Sequence, residues 1–360
     1  MKTSDALGPS VWVASDGRAG HAAQTLAIAR ALGEMSRWVN IAHVNGKGHR
    51  ASAIELTPRG LQPLLPSRFW WSPLSALPAD QRAIFTPPWP TLWIGAGRRV
   101  APYSSHVRKA SGGDTLSVHV MNPQMPLSDF DLVVIPEHDC ITGDNVIQTL
   151  GAPSYFAPET IEDTELAFGD LTEDRGFKVA VILGGDSKSH SMTEEACARL
   201  ETQLTSVASS GNTRLRVVCS RRTPTHARVR FRAFAERAGA RFWESSADGP
   251  NPYLAYLLLS DAAIVTEDST NMLSEAAYFG LPIHIARLEG TSDKFSKFHQ
   301  ALIDRGIARW FDGTVDHWSY TPLREVDRVA DAIMKKLIER FPQPSFERPR
   351  EARQGDQDRR

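Results

Sequence analysis

Residues 266–283, TEDSTNMLSEAAYFGLPI, decide the fold. The apolar run Ala262–Val265 reads as a strand that ends in polar residues. Asn271–Phe279 reads as a helix, stopped by Gly280, and Pro282–Ala286 as the next strand. A strand, a capped helix and a second strand in that order make a unit of a parallel sheet. Ser269 or Thr270 can cap the helix, and the amides of its first turn attract an anion. Glu275 stands one turn past Asn271 on the same helix face, where a carboxylate could accept both hydroxyl hydrogens of a ribose. The plain alternative is a capped helix with Glu275 in a salt bridge.

Outward from this stretch the same rhythm repeats. Toward the N-terminus, Val179–Leu183 reads as a strand followed by Gly184-Gly185-Asp186-Ser187-Lys188-Ser189, then a helix from about Thr193 to Ala208. Two glycines followed by a hydroxyl and a lysine suit a diphosphate, although the P-loop spacing is missing. Leu215–Cys219 and Arg241–Trp243 read as further strands. Between them stand Ser220-Arg221-Arg222-Thr223-Pro224, which could bind phosphate or base, with Arg221 taken as the site residue, and a helix over His226–Ala238. Toward the C-terminus, Lys294–Arg305 is helical, and apolar positions in Arg324–Arg340 recur at helical spacing with one buried face.

The first half carries the same pattern. Val11–Ala14 is a strand, Ser15-Asp16-Gly17-Arg18-Ala19-Gly20-His21 a turn, and Gly20–Leu32 a helix. Val39–Val44, Thr91–Ile94, Leu116–Val120 and Leu132–Ile135 read as strands. In open α/β sheets ligands collect at the carboxyl ends of strands, which places Asp16 and His21 at such an end. A free imidazole has its pKa near neutrality, so His21 could act as a general base, and Asp16 is the other candidate. Thr57–Pro90 is rich in proline and reads as irregular structure with short helices. Phe69-Trp70-Trp71 is expected to pack beneath it, with contact to a lipid or partner as the alternative. Pro136-Glu137-His138-Asp139 offers a second His–Asp pair, or a plain surface loop.

Bulk composition sets limits. The 360 residues hold 41 Lys plus Arg against 42 Asp plus Glu, a formal net charge of -1, so no nucleic-acid partner is expected. Three widely spaced cysteines make no Cys-x-x-Cys pair, which fits a reducing cytoplasm without disulfides. No basic start with an apolar core marks a signal peptide, and no apolar run reaches the ~20 residues of a spanning helix. The histidines show no His-x-x-x-His pair, so no metal is expected.

Glu275-Ala276-Ala277-Tyr278-Phe279-Gly280-Leu281-Pro282 resembles the donor-site helix of glycosyltransferase-B enzymes such as the lipid II-forming N-acetylglucosaminyltransferase. The Gly20-His21 loop and Gly184-Gly185 resemble their two glycine loops, with Asp16 and Arg18 replacing small residues. A second resemblance rests on Ser15–Gln24, Ile94–Gly97, Pro136–Asp139 through Gly143–Val146, and Glu267–Glu275. These look like the mitochondrial-fission family named for elongated mitochondria, whose bacterial members are often labelled nucleoside-diphosphate-sugar epimerases.

The resemblances imply an α/β chain of two Rossmann-like domains facing a cleft. Residues 1–155 form the acceptor side, 156–176 a connection and 177–323 the nucleotide-sugar side. A helix over 324–341 crosses back to the first domain, and 342–360 is a disordered tail. They imply a glycosyltransferase-like enzyme using a nucleotide-diphosphate sugar as substrate, with no separate cofactor. Glu275 would hold the ribose; Gly184, Gly185, Ser187, Ser269, Thr270 and Asn271 the diphosphate. The acceptor is open, a lipid-linked one included, as is peripheral contact with the inner face of a membrane. The alternatives are a non-catalytic recruitment scaffold and a nucleotide-sugar epimerase.

Overall fold

The computed structural model describes residues 10–35 and 53–342. The strand read at Val39–Val44 and the tail from 343 lie outside the described residues. Two compact units emerge. The first runs to Val134 and adds residues 143–147 and the chain from Val326; the second holds Ile135–Thr142 and Gln148–Glu325.

The first unit begins with β1 (Val11–Ser15) and α1 (Ala19–Met35), then β2 (Ile54–Glu55). Three 3-10 turns and the four-residue α2 (Ala79–Arg82) occupy the proline-rich stretch, as its composition demands. After it come β3 (Leu92–Ala96), α3 (Ala101–Ala110), β4 (Leu116–Val120), β5 (Leu132–Pro136) and β6 (Val146–Thr149). The sheet order is β2-β1-β3-β4-β5-β6, with parallel pairing from β2 through to β5. Strands covered on both faces are buried throughout, and β3 and β4 are buried at every position, the polar Ser117 and His119 of β4 being hydrogen-bonded to Ser104. Trp70, Phe85, Trp93 and Tyr103 fill one core beside Val100 and Val107.

The first α-helix of the second unit is α4 (Pro158–Ala167), inside the stretch read as a connection. A 3-10 turn over Gly169–Glu173 follows and buries Leu171. β7 (Phe177–Leu183), β8 (His190–Ser191), α5 (Glu194–Ala208), β9 (Thr213–Cys219), α6 (Thr225–Ala238), β10 (Arg241–Trp243) and α7 (Tyr253–Leu258) come next. β11 (Ala262–Thr266), α8 (Thr270–Tyr278), β12 (Ile283–Ala286), β13 (Glu289–Gly290), α9 (Asp293–Asp304) and β14 (Ala308–Trp310) complete it. The six-stranded sheet runs β10-β9-β7-β11-β12-β14, all parallel. Counted by first appearance, that is the 3-2-1-4-5-6 order of dinucleotide-binding folds. Alternation splits β7 between two cores. Val179, Val181 and Leu183 pack with Phe231 and Phe234 of α6, whereas Ala180 and Ile182 pack with Leu273 and Ala276 of α8.

The last helix, α10 (Glu325–Arg340), clusters with the first unit from Val326 onward. Val326, Val329, Ala330, Ile333, Met334 and Leu337 form its buried face. Arg340 pairs with Asp131, at 3.1 Å from one oxygen and 2.5 Å from the other, and also donates to the carbonyls of Gly113 and Thr115. Among the described residues no helix is long and apolar enough to cross a membrane.

Candidate functional site

Each sheet reverses its winding at one place, and a strand end at such a place is free to meet a ligand. In the second unit the reversal falls between β7 and β11. The glycine loop after β7 therefore lies beside Thr266–Asp268 after β11. The Gly184 amide donates to Thr266 Oγ1 (2.8 Å), the Gly185 amide to Asp268 Oδ2 (3.1 Å), and Thr266 Oγ1 to Asp268 Oδ1 (2.6 Å). Arg222 Nη2 lies 2.6 Å from the same Asp268 carboxylate, whose side chain is fully buried. The two glycines are required. A Cβ on Gly184 would collide with the Asp268 carboxylate. Gly185 has φ of +152°, and its Cβ would collide with the Arg222 backbone.

This arrangement revises two expectations. Asp268, to which sequence reasoning gave no role, occupies the glycine loop where an anion was expected. Arg222 rather than Arg221 carries the guanidinium to the loop; Arg221 is exposed, and only its carbonyl is engaged, by Arg228. Ser187 is exposed and spends its hydroxyl on the local turn, accepting from the amides of Ser189 (3.2 Å) and His190 (3.0 Å).

α8 starts beside this loop. Ser269 caps it by accepting from the Met272 amide at 3.4 Å, and Thr270 and Asn271 form its first turn. It ends with Gly280 at φ +75°, the Gly280 amide bonded to Ala277 and the Leu281 amide to Ala276. That paired pattern satisfies the last carbonyls and fixes where the helix stops. Glu275, half-buried on α8, accepts a short hydrogen bond from the Tyr253 hydroxyl of α7. Burial pushes its carboxyl up to about 7, against the lowering effect of that bond. The partner of Glu275 is thus a phenol, 22 residues away in sequence and without a local signal to announce it.

In the first unit the reversal falls between β1 and β3. Asp16, just past β1, meets His21 in the first turn of α1, with Oδ1 2.7 Å from Nδ1. Burial alone would raise the Asp16 carboxyl, but the bond and charge of His21 and the nearby Arg18 hold it below the usual range. Gly97, at φ +90° after β3, makes room for the pair; a Cβ there would lie 2.5 Å from His21 Nδ1 and 3.2 Å from Asp16 Oδ2. A carboxylate bonded to one imidazole nitrogen orients the ring and stabilises its protonated form, which is how a base is built. Deeper in the sheet, His119 donates to or accepts from Ser104 Oγ at 3.1 Å, and burial drives its pKa down to about 3. It stays neutral and belongs to the core.

The other His–Asp pair is looser. Pro136–Asp139 belongs to the second unit; His138 Nε2 is 3.9 Å from Asp139 Oδ1, which Lys294 Nζ approaches at 2.5 Å. Asp139 therefore answers to a lysine rather than to the histidine. Among the described residues no group of three or more His, Cys, Asp or Glu is placed to hold a metal ion.

A family model described as mitochondrial fission ELM1 matches residues 19–337. The chain belongs to the mitochondrial fission ELM1 family. Within the ELM1 family it is 26% identical over 280 residues to the mitochondrial fission protein ELM1 of Arabidopsis thaliana, a match covering 70% of this chain and 65% of that protein. The chain thus spans just under two thirds of that relative's length. The uncharacterized protein RP120 of Rickettsia prowazekii is 27% identical over 281 residues, covering 68% of this chain and 79% of RP120.

Solved structures share the fold of this ELM1-family chain. A putative UDP-N-acetylglucosamine 2-epimerase from Listeria monocytogenes aligns with TM-score 0.52 and 13% identity, covering 95% of this chain and 99% of that one. The T291V variant of Os79 from O. sativa in complex with UDP aligns with TM-score 0.51 and 14% identity, covering 94% of each chain. Medicago truncatula UGT71G1 complexed with UDP-glucose gives 0.50 and 13%, covering 92% of each. The fold of the ELM1-family chain is that of the glycosyltransferase-B proteins, as the α8 sequence led us to expect.

Proposed function

We propose that the second unit binds a nucleoside diphosphate sugar and that the chain transfers the sugar, with the Asp16–His21 pair as base. The observation that carries this reading is the clustering at the β7/β11 reversal. A glycine loop, the capped start of α8 and the Glu275 carboxyl follow one another along neighbouring elements, as nucleotide recognition requires. Glu275 would take the ribose hydroxyls, exchanging the Tyr253 phenol for them. The first turn of α8, at Ser269, Thr270 and Asn271, would face the diphosphate. Arg222 would move its charge from Asp268 to the phosphates. The Asp16–His21 pair has the chemistry to take a proton from an acceptor hydroxyl through His21 Nε2. The UDP complexes of the fold relatives agree with this ligand class.

One observation favours a second reading, a non-catalytic recruitment scaffold. The Gly184 and Gly185 amides already serve Thr266 and Asp268, so a diphosphate must displace a carboxylate to use the latter. A calorimetric titration with UDP, GDP, ADP and CDP decides. Under the enzymatic reading one of them binds, and Glu275→Ala weakens it about tenfold or more through the loss of two hydrogen bonds to the carboxyl. Absence of binding by all four leaves the scaffold. Incubation of the chain with the matching nucleotide sugar, with and without candidate acceptors, then separates transfer from epimerisation by the products formed.

A further inference from the structure

The proline-rich stretch of the first unit has its polarity turned inside out. Gln62 and Ser67 are buried, whereas Leu61 (74% exposed), Leu64 (74%), Phe69 (54%) and Trp71 (70%) face solvent. Among the described residues, most of the strongly exposed large hydrophobic side chains fall between Leu61 and Trp71. Single exposed leucines are ordinary on a protein surface; a concentration of them with aromatics in one segment marks an interaction site.

The segment holds this inverted arrangement through its polar side chains. Gln62 Nε2 donates to the Ser72 carbonyl (3.0 Å) and Ser75 Oγ (3.2 Å), and its Oε1 accepts from the Ser72 amide (3.1 Å). Ser67 Oγ donates to the Arg98 carbonyl (2.8 Å), Arg98 returns a bond to the Leu65 carbonyl (2.8 Å), and the Trp70 indole donates to the same carbonyl (3.2 Å). The Tyr103 hydroxyl bonds the Pro73 carbonyl at 3.1 Å. Of the aromatic run only Trp70 is buried, at 8% exposure, which corrects the expectation that all three residues pack beneath the segment. Hydrogen bonds thus fix the backbone while the leucines, Phe69 and Trp71 point outward.

Within the stretch itself the charge has one sign, with the exposed Glu55 and Asp80 standing at its two ends. Residues 56–79 contain Arg59 and Arg68, both exposed, and no Asp or Glu. Arg68 stacks 4.7 Å over the Phe69 ring and also lines a hollow with Asn122 and Gln124, which supplies hydrogen-bond donors beside the tip. We propose that this face docks on an anionic lipid surface, with Leu61, Leu64, Phe69 and Trp71 entering the headgroup boundary and Arg59 and Arg68 meeting lipid phosphates. Indole rings favour that boundary, and apolar insertion combined with arginines is the pairing that holds a protein reversibly on a bilayer.

Co-sedimentation of the full chain with phosphatidylcholine vesicles, with and without phosphatidylglycerol, tests this. The chain is expected to follow the anionic vesicles and to leave them as salt is raised. Leu64→Ser with Trp71→Ser is expected to lower partitioning about tenfold or more. Arg59→Glu with Arg68→Glu is expected to lower it about twentyfold or more on anionic vesicles and little on neutral ones. All four side chains are exposed, so thermal midpoints should stay close to the parent's; quenching of the parent's tryptophan fluorescence by brominated lipids gives a reading that needs no variant. Failure to bind either vesicle overturns the proposal. So does binding that both double variants leave unchanged, or self-association of the chain in the absence of vesicles that the Leu64/Trp71 variant abolishes.

Discussion

The two strand-end loops at the reversals of the two sheets occupy equivalent places and treat their aspartate in opposite ways. In the first unit Asp16 faces a histidine and charges it with a structural task, orienting an imidazole whose Nδ1 is 2.7 Å away. In the second unit Asp268 is turned inward and fully buried, held by Arg222, the Gly185 amide and the Thr266 hydroxyl. The first loop sets a carboxylate against an imidazole. The second is organised to balance charge around a close-packed backbone. One fold position thus supports two chemistries, and which one appears depends on the residue facing the carboxylate.

The difference is sharpest where catalysis is concerned. Asp16→Asn keeps the shape of the first pair but removes the charge that stabilises a protonated ring. Under the proposed function the turnover of sugar transfer falls about a thousandfold while nucleotide binding in the second unit is unchanged. Steady-state rates beside calorimetric affinity would read the two separately. A parallel loss of both would break the division of labour.

Glycine substitution probes the packing half of the comparison. At Gly185 an alanine Cβ would run into the Arg222 backbone, which cannot swing away, at a φ that suits only glycine. Gly185→Ala should cost about 3 kcal/mol or more. At Gly97 the obstacle is the His21 ring, which can rotate at the expense of its bond to Asp16. Gly97→Ala should therefore cost less stability, about 1–2 kcal/mol, and abolish the base. Thermal unfolding of the two variants by circular dichroism orders them; equal losses would mean the second loop is no tighter than the first.

How far the sequence anticipates these loops depends on whether their determinants are local. β4 and β10 have the ranges read from their β-branched and aromatic residues, and α5 begins one residue after its Thr193 cap. The Asp16 and His21 candidates after β1 and the Gly280 stop lie in local patterns and were legible, whereas the bond joining the two candidates was not read. α4 was not, because none of its residues is buried and so no apolar stripe marks it. β14 is three residues long, too short for a period to show. The partners that give each aspartate its character are long-range. Arg222 and Gly185 reach Asp268 across 46 and 83 residues, and Tyr253 reaches Glu275 from another helix. The β9-β7-β11 order brings the first two to Asp268, and the tertiary fold brings α7 to α8; single-sequence reading provides neither.

Glu275 offers the finest cut, since it shares the second unit with Asp268 but remains half-buried and titratable. Its carboxyl is raised from the ordinary 4.5 to about 7, chiefly by burial. Between those values the folded chain keeps a proton that the unfolded chain has released. Stability contributed by this group is therefore full below pH 4.5, declines as pH rises toward 7 and is lost above it, by at most about 3 kcal/mol. Glu275→Gln should flatten that slope in urea titrations run across the range. Tyr253→Phe should do the least. It removes one hydrogen bond, worth about 1 kcal/mol, and leaves the carboxyl in the same buried setting with its pKa higher still. A Tyr253→Phe variant that bound nucleotide more tightly would show the phenol standing where a ribose hydroxyl goes. Unchanged affinity would place the phenol outside the binding event and assign the pair to the packing of α7 against α8.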